Sequence, residues 1–221
     1  MQSFFSAFPA HFERLNLGYC GGVDDEVATC LAAAPSCHSL RSLVLNGAYI
    51  TDSGVRALAT APWLACVAEL SLHDCREIQD PEALGFLCAG LRAIASLSLA
   101  RLRATALTSA VLQQLCFESG DGSSVVSTQP ASLARHKTKL RKLRLDHSRG
   151  VDDQAVFWLA SSLGFLHELS IRGCVLVGPL GLAALSGGVQ SLRRLHIGGK
   201  LLGKEAIEHF RSERPEVMLI A

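Results

Sequence analysis

Apolar residues recur along the chain as a short pattern, apolar-x-x-Leu-x-apolar, which occurs seven times. The central leucines of the seven copies are Leu15, Leu43, Leu70, Leu97, Leu143, Leu169 and Leu195. The steps between them are 28, 27, 27, 46, 26 and 26 residues. Because successive side chains of a β-strand point to opposite faces, the pattern buries the leucines and turns the intervening residues outward. It predicts seven short strands, and the near-constant step predicts a repeated unit.

A helical pattern follows each strand. A candidate N-cap residue precedes apolar residues four and seven positions later, which lie on one face of a helix. The seven candidates are Asp24, Thr51, Asp80, Thr108, Asp152, Gly178 and Gly203. In the third unit Pro81 occupies the first helical position, which proline favours. Each unit is therefore predicted to be a strand, a turn and a helix.

The repeated unit predicts an α/β solenoid. One unit cannot cover its own apolar edge, but stacked units share a continuous core. We expect residues 1–221 to form a single horseshoe-shaped domain of about seven repeats, with a parallel sheet on the concave face and helices on the convex face. Residues 215–220, which include Val217, Leu219 and Ile220, predict a last strand that closes the stack.

Three segments carry a family resemblance: 50–58 (ITDSGVRAL), 70–75 (LSLHDC) and 169–174 (LSIRGC). They resemble the cysteine-containing subclass of leucine-rich repeats, known from the substrate-binding arrays of F-box ubiquitin-ligase receptors and from scaffold and regulatory proteins. The residues that match the turn cysteine of this subclass are Cys20, Cys75 and Cys174. Four units depart from it and carry Ala48, Leu102, Ser148 and Lys200 at that position.

Two segments depart from the repeat. The step of 46 residues places an insertion at 117–138, between repeats four and five, and its glycine, serine and threonine content predicts a flexible loop. This loop is either a tolerated insertion or a partner-binding arm that orders on contact. Residues 1–11 contain Phe4, Phe5 and Phe8 and predict an N-terminal half-repeat cap; an exposed apolar contact for a neighbour is the alternative.

Composition and cysteine usage restrict the class of protein. The net charge of +1 points to neither nucleic acid nor a membrane surface, and no apolar run approaches the roughly 18 to 20 residues that cross a bilayer. The eight cysteines form no CxxC pair, and no secretory signal precedes them. We expect reduced thiols packed as small apolar side chains in an intracellular, reducing compartment, the cytoplasm in the simplest case; a disulfide framework is the alternative.

Catalytic chemistry has no positive signal. The sequence contains no nucleophilic motif, phosphate-binding glycine loop or metal-ligand spacing, so we assign no catalytic residue, cofactor or metal. His73, Asp74 and Cys75 superficially suggest a Cys/His site, but the repeat register turns His73 and Asp74 outward and Cys75 inward. A basic stretch, 135–144, could contact phosphates, yet alternation places only Lys142 and Arg144 on the concave face, and no aromatic residue accompanies them.

The concave face carries the remaining functional signal. The candidate partner-binding residues are Tyr19, Asn46, His73, Arg101, Lys142, Arg144, Asp146, Glu168, Arg172, Arg194 and His196. The lining is predicted to be small and neutral in the first four units and charged in the last three. Such a surface favours a protein partner over nucleic acid, with Tyr19, Arg144 and Arg172 as anchors. Binding through the convex helices or a sheet edge is the alternative.

Three functional classes follow. The favoured one is a non-catalytic protein–protein interaction module, a scaffold or structural subunit of a larger intracellular assembly. The alternative is the substrate-recognition array of a ubiquitin-ligase complex, a role that the resemblance alone implies. Only about eleven residues precede the first strand, so we expect such an array to lack its own F-box. The third class, an enzyme or an enzyme regulator, has no positive feature.

Overall fold

The structure, a computed structural model, describes residues 12–116, 139–198 and 202–220. The predicted cap at 1–11 and the predicted loop at 117–138 lie outside the described residues. Each described repeat is called a coil here and is numbered by the strand that begins it.

Eight strands of three residues each form one parallel sheet in the order β1 to β8. The strands are β1 Arg14–Asn16, β2 Ser42–Val44, β3 Glu69–Ser71, β4 Ser96–Ser98, β5 Lys142–Arg144, β6 Glu168–Ser170, β7 Arg194–His196 and β8 Met218–Ile220. The seven central leucines pair in register along the sheet and continue to Leu219. Leu97 pairs directly with Leu143 across the long step. The predicted α/β solenoid is confirmed, and the inserted residues do not interrupt the sheet.

A helix follows each of the first seven strands. The helices are α1 Asp25–Ala33, α2 Asp52–Ala59, α3 Pro81–Gly90, α4 Ser109–Cys116, α5 Asp153–Ser162, α6 Pro179–Gly188 and α7 Lys204–Glu213. Short 3-10 turns, Pro35–Ser39 and Leu64–Cys66, lead into β2 and β3. Because helices of neighbouring coils pack side by side, they form one layer behind the sheet. None of the helices in the described part of the chain has the length and apolarity to cross a membrane.

The core lies between the sheet and the helix layer. Every central leucine from Leu15 to Leu195 is buried, as are the helix positions predicted to face it, with Ile207 of α7 only partly buried. The predicted N-caps Asp24, Thr51, Asp80 and Asp152 accept backbone N–H groups of their own helices. Since one coil supplies too little apolar surface for its own core, the continuous cluster depends on stacking.

The turn after each strand contacts the coil before it. The thiols of Cys75 and Cys174 donate to the carbonyl oxygens of Leu45 and Leu145, each at 3.1 Å. Burial raises the pKa of both thiols to about 11, which keeps them protonated donors. In coil five the hydroxyl of Ser148 makes the same bond to Leu99 at 3.2 Å. Serine therefore replaces the turn cysteine without losing the hydrogen bond.

Not all cysteines are packed. All eight cysteines are free thiols in the structure, and five of them are buried: Cys37, Cys75, Cys88, Cys116 and Cys174. The prediction of packed thiols is wrong for two of the others, Cys20 and Cys66, which are exposed. Cys20 occupies the turn position of coil one, and the described residues include no earlier coil whose carbonyl could accept from it.

A carboxylate at the first position of three helices joins neighbouring coils. Asp25 accepts from the backbone N–H groups of Thr51 and Gly54. Asp52 accepts from the backbone N–H groups of Gln79 and Asp80, the two residues that precede Pro81 of α3. Asp153 accepts from Gly178 at 2.7 Å and from Gly181 at 2.9 Å. These acceptors satisfy N–H groups that the first turn of a helix leaves without intrahelical partners. Each carboxylate thus caps the helix of the next coil.

The carboxylate of Asp153 supports a stability prediction. We expect Asp153→Ala to lower the free energy of unfolding by about 1 to 3 kcal/mol, because two N–H groups at the start of α6 lose a charged acceptor. Urea denaturation followed by circular dichroism measures the change. Gln154→Ala is the matched control, since Gln154 is exposed on the same helix and such a change stays within about 0.5 kcal/mol. Equal losses in both variants would contradict the capping role.

Candidate protein-binding surface

Three rows of side chains run across the concave face. The lower row precedes the central leucines and contains Arg14, Ser42, Glu69, Ser96, Lys142, Glu168, Arg194 and Met218. The middle row follows the leucines and contains Asn16, Val44, Ser71, Ser98, Arg144, Ser170, His196 and Ile220. The upper row lies two residues further on and contains Gly18, Asn46, His73, Ala100, Asp146, Arg172 and Gly198. Carbonyl groups of the upper row accept backbone bonds from the preceding coils, which extends the strand register to this row.

The residue after the upper row turns away from the alternation. In six coils it has a positive φ, between 57° and 66°, although four of the six residues are not glycine. The six residues are Tyr19, Gly47, Asp74, Arg101, His147 and Gly173. Of the predicted face residues, Tyr19 and Arg101 belong to this turn, so the structure places them at the rim and the other nine within the three rows.

Aromatic rings explain the two glycines of this turn. The ring of Tyr19 lies so close to Gly47 that a Cβ there would be 2.6 Å from the ring, and a Cβ on Gly173 would be 2.3 Å from Nδ1 of His147. Such distances are well inside ordinary carbon contacts of about 3.5 Å or more. Glycine at both positions leaves space for the neighbouring ring and adopts the positive φ of this turn without steric cost.

The upper row is held by one amide and one carboxylate at equivalent positions. The side-chain oxygen of Asn46 accepts from the Ser71 hydroxyl at 2.6 Å and from the His73 N–H at 3.2 Å. Asp146 accepts from the Ser170 hydroxyl at 2.5 Å and from the Arg172 N–H at 3.0 Å. Both side chains are therefore hydrogen-bonded to the next coil. These two neutral donors stabilise the carboxylate of Asp146 without removing its charge.

Glu168 lies at the centre of the charged half. It is only 8% exposed and sits between the lower-row cations, with Oε2 3.6 Å from Nζ of Lys142 and 3.3 Å from Nη1 of Arg194. The same oxygen accepts no hydrogen bond from any described residue. Lys142 and Arg194 remain more than half exposed. The carboxylate therefore holds two cations on the face without covering them.

The N-terminal half of the face is less uniformly neutral than predicted. Arg14 and Glu69 are exposed in the lower row, and the Ser42 hydroxyl donates to Oε2 of Glu69 at 2.7 Å. The expectation of a mostly small, neutral lining omitted both charges. The signal was in the sequence, because the alternation that selects Lys142 also selects these positions. Their opposite charges still leave this half neutral in sum.

The two concave histidines add little positive charge near neutral pH. Burial is the main cause that lowers the pKa of His73. Burial likewise lowers the pKa of His196, and the neighbouring Arg172 lowers it further. A lowered pKa favours the uncharged imidazole near neutral pH. The charge of the face is therefore carried by arginine, lysine and carboxylate side chains.

The remaining surfaces carry weaker signals. A shallow groove of about 240 Å³ between α6 and α7 is lined by apolar residues that include Leu180 and Phe210. Leu180 is exposed, as are single phenylalanines of α3 and α5. In the described ranges no group of three or more histidine, cysteine or acidic side chains is placed to hold a metal ion.

Comparison with known proteins supports the repeat architecture. The leucine-rich repeat family model matches residues 36–59. A chain in the crystal structure of the Rad7 and Elc1 complex in yeast is similar with 21% identity and a TM-score of 0.63, over 90% of this chain and 44% of that chain. The leucine-rich repeat-containing protein LegL7 from Legionella pneumophila is similar with 17% identity and a TM-score of 0.52, over 92% and 62%.

This chain spans less than two thirds of the length of either protein. Both likenesses concern the fold. Membership of the cysteine-containing subclass stays a prediction from the turn residues. The structure contains the features that the sequence predicts: seven strand–helix coils, one parallel sheet and a stacked leucine core. The chain folds as an α/β leucine-rich repeat solenoid.

Proposed function

We propose that this protein is a non-catalytic protein–protein interaction module, a scaffold or structural subunit of a larger assembly in a reducing intracellular compartment. The partner binds the concave face. The observation that carries the proposal is the face itself, whose three rows of side chains are in register on eight parallel strands. Only Ser42, Ala100, Glu168 and Ser170 of these rows are buried. The others are available for contact.

The dimensions of the face suit an extended partner. Eight strands at about 4.8 Å span about 34 Å, and the three rows extend about 13 Å along the strands. The face therefore measures about 440 Å² in projection, roughly half of the about 800 Å² that one partner contributes to a standard interface. Arg144 and Arg172 are exposed at its centre, and arginine is enriched among residues that dominate binding energy.

A capture experiment with a blocked face tests this proposal. Ser98→Trp places a large ring in the middle row, where the serine is half-buried and makes no side-chain hydrogen bond to a described residue. Gln113→Trp places the same ring on the exposed side of α4. Tagged wild-type and variant chains are purified from the cells that express the protein, at low and high salt, and co-purifying proteins are quantified.

We expect fixed stoichiometric partners that survive high salt with the wild type and with Gln113→Trp, and at least a tenfold depletion with Ser98→Trp. Retention by Ser98→Trp would contradict binding through the concave face, and a chain recovered alone at both salt concentrations would contradict the interaction role. Recovery of a ubiquitin-ligase adaptor as the stoichiometric partner would favour the substrate-receptor alternative over the scaffold.

A further inference from the structure

Cations gather on the concave face of coils four to seven. Lys142, Arg144, Arg172 and Arg194 lie in the three rows, and Arg101 lies at the adjoining rim. All five side chains are exposed. Neighbouring strands are about 4.8 Å apart, so these cations fall within about 15 Å of one another along the sheet. The only acidic side chains in these rows from β4 to β8 are Asp146 and Glu168.

Both acidic side chains already interact with neighbouring residues of the sheet. Asp146 accepts from Ser170 and from the Arg172 backbone, and Glu168 lies between Lys142 and Arg194. None of the described carboxylates forms an ion pair with Arg101, Arg144 or Arg172. Within the described part of the chain, three guanidinium groups therefore face solvent without an anionic partner, and the charge of these rows is positive although the whole chain is nearly neutral.

We propose that this cationic surface, Arg101, Lys142, Arg144, Arg172 and Arg194, binds an acidic segment of a protein partner. The inference rests on the proposed function and names the chemistry of its ligand. An extended chain that crosses coils four to seven needs about five residues, since a residue advances about 3.3 Å. Aspartate or glutamate at alternate positions of such a segment would meet successive guanidinium groups, which bind carboxylates in two-point contacts.

Two features favour a protein segment over nucleic acid. Asp146 and Glu168 stand among the cations, and a continuous row of phosphates would pass close to both carboxylates, whereas a protein segment can place neutral residues there. Among the described residues of the three rows and the rim, coils four to seven also carry no phenylalanine, tyrosine or tryptophan on which bases would stack; their rings are those of His147 and His196. The tyrosine of the concave rim, Tyr19, lies at the opposite end of the sheet.

Direct binding to a defined probe tests the inference. The full chain is titrated into a fluorescein-labelled oligoglutamate peptide at low ionic strength, and fluorescence anisotropy is measured. Oligoglutamine of the same length and an oligothymidylate of the same charge are the comparison probes. We expect binding of oligoglutamate that weakens with salt, no binding of oligoglutamine and weaker binding of oligothymidylate. Absence of oligoglutamate binding, or tighter binding of oligothymidylate, would overturn the proposal.

Variants locate the binding site. Arg144→Glu with Arg172→Glu is expected to weaken oligoglutamate binding at least tenfold. Lys204→Glu with Arg211→Glu changes the net charge by the same amount on the exposed side of α7. This double variant is expected to change the affinity for oligoglutamate less than twofold. Equal weakening in both double variants would show a non-specific effect of net charge and would overturn the assignment of the site.

A variant that is expected to bind more tightly distinguishes a local charge effect from misfolding. Glu168→Gln keeps the shape of the side chain but removes the anion that lies between Lys142 and Arg194. We expect oligoglutamate to bind severalfold more tightly, a gain that a damaged fold would not give. Unchanged or weaker binding would contradict the role of these two cations. If Ser98→Trp loses the captured partner while Arg144→Glu with Arg172→Glu retains it, this inference fails and the proposed function stands.

Discussion

In the Trp63→Ala variant we expect the free energy of unfolding to fall by about 3 to 5 kcal/mol, because a large side chain is removed from a site that cannot collapse. Trp63 is 1% exposed and is among the largest fully buried side chains. Its indole N–H donates to the carbonyl oxygen of Leu31 in α1 at 3.0 Å. Alanine would therefore leave a cavity between coils one and two and remove one of the two donors to the Leu31 carbonyl oxygen, which also accepts from the Ala34 N–H.

Urea denaturation followed by far-ultraviolet circular dichroism measures this loss. Trp63→Phe separates its two causes, since phenylalanine retains much of the volume but not the N–H; we expect a loss of about 1 to 2 kcal/mol. The chain has two tryptophans, so Trp158 remains as a fluorescent reporter of coil five in both variants. A loss below about 1 kcal/mol in Trp63→Ala would contradict the packing of Trp63 between the first two coils.

The fold was predictable because its strongest constraints are local in sequence. A leucine at each central strand position and an apolar pair four and seven residues after each N-cap define which face of each element is buried. The structure buries Leu15 to Leu195 as predicted and uses Asp24, Thr51, Asp80 and Asp152 as side-chain caps. These patterns repeat with a nearly fixed step, so one correct unit predicts its neighbours.

Contacts between coils were not predictable in the same way. The carboxylates of Asp25, Asp52 and Asp153 bind N–H groups about one repeat away. Aspartate is common in the first turn of a helix because it interacts favourably with the positive end of that helix's own dipole. The sequence therefore does not show whether such an aspartate also caps the helix of the next coil. The equivalence of Ser148 and Cys75 likewise emerged only from their carbonyl acceptors in the preceding coil.

The candidate site was predictable in its positions and less so in its charge. Alternation places nine of the eleven candidate residues in the rows, and the same rule would have included Arg14 and Glu69. It could not reveal the positive φ of Tyr19 and Arg101, because neither residue type signals that conformation. Which cations face an anion depends on side-chain positions. Glu168 lies beside Lys142 and Arg194, whereas Arg144 and Arg172 have no carboxylate partner among the described residues.

A buried arginine closes the last coil. Arg214, 6% exposed, lies at the end of α6, where its guanidinium donates to the carbonyl oxygens of Ser186 and Val189, each at 3.0 Å. It also donates to the carboxylate of Glu216 at 2.5 Å. The cation lies where the last carbonyls of a helix lack intrahelical donors and carry a partial negative charge. Arg214 therefore links α6 to the segment that leads into β8.

We expect Arg214→Met to lower the free energy of unfolding by about 3 kcal/mol, because methionine preserves the apolar stem but removes the buried guanidinium donors to the carbonyl oxygens of Ser186 and Val189, of which Val189 keeps the Leu192 N–H. Glu216→Gln is the control and should cost far less than Arg214→Met, since Glu216 is exposed to solvent. The hydrogen bond from Arg214 lowers the pKa of Glu216. The contribution of that ion pair is therefore present above the ordinary glutamate pKa and is lost as the pH falls through the lowered value. Urea denaturation at neutral and acidic pH measures the loss of unfolding free energy in Arg214→Met. We expect this loss to become smaller at acidic pH but to persist, because the hydrogen bonds to the carbonyl oxygens do not titrate. A loss that disappears at acidic pH would contradict the capping of α6.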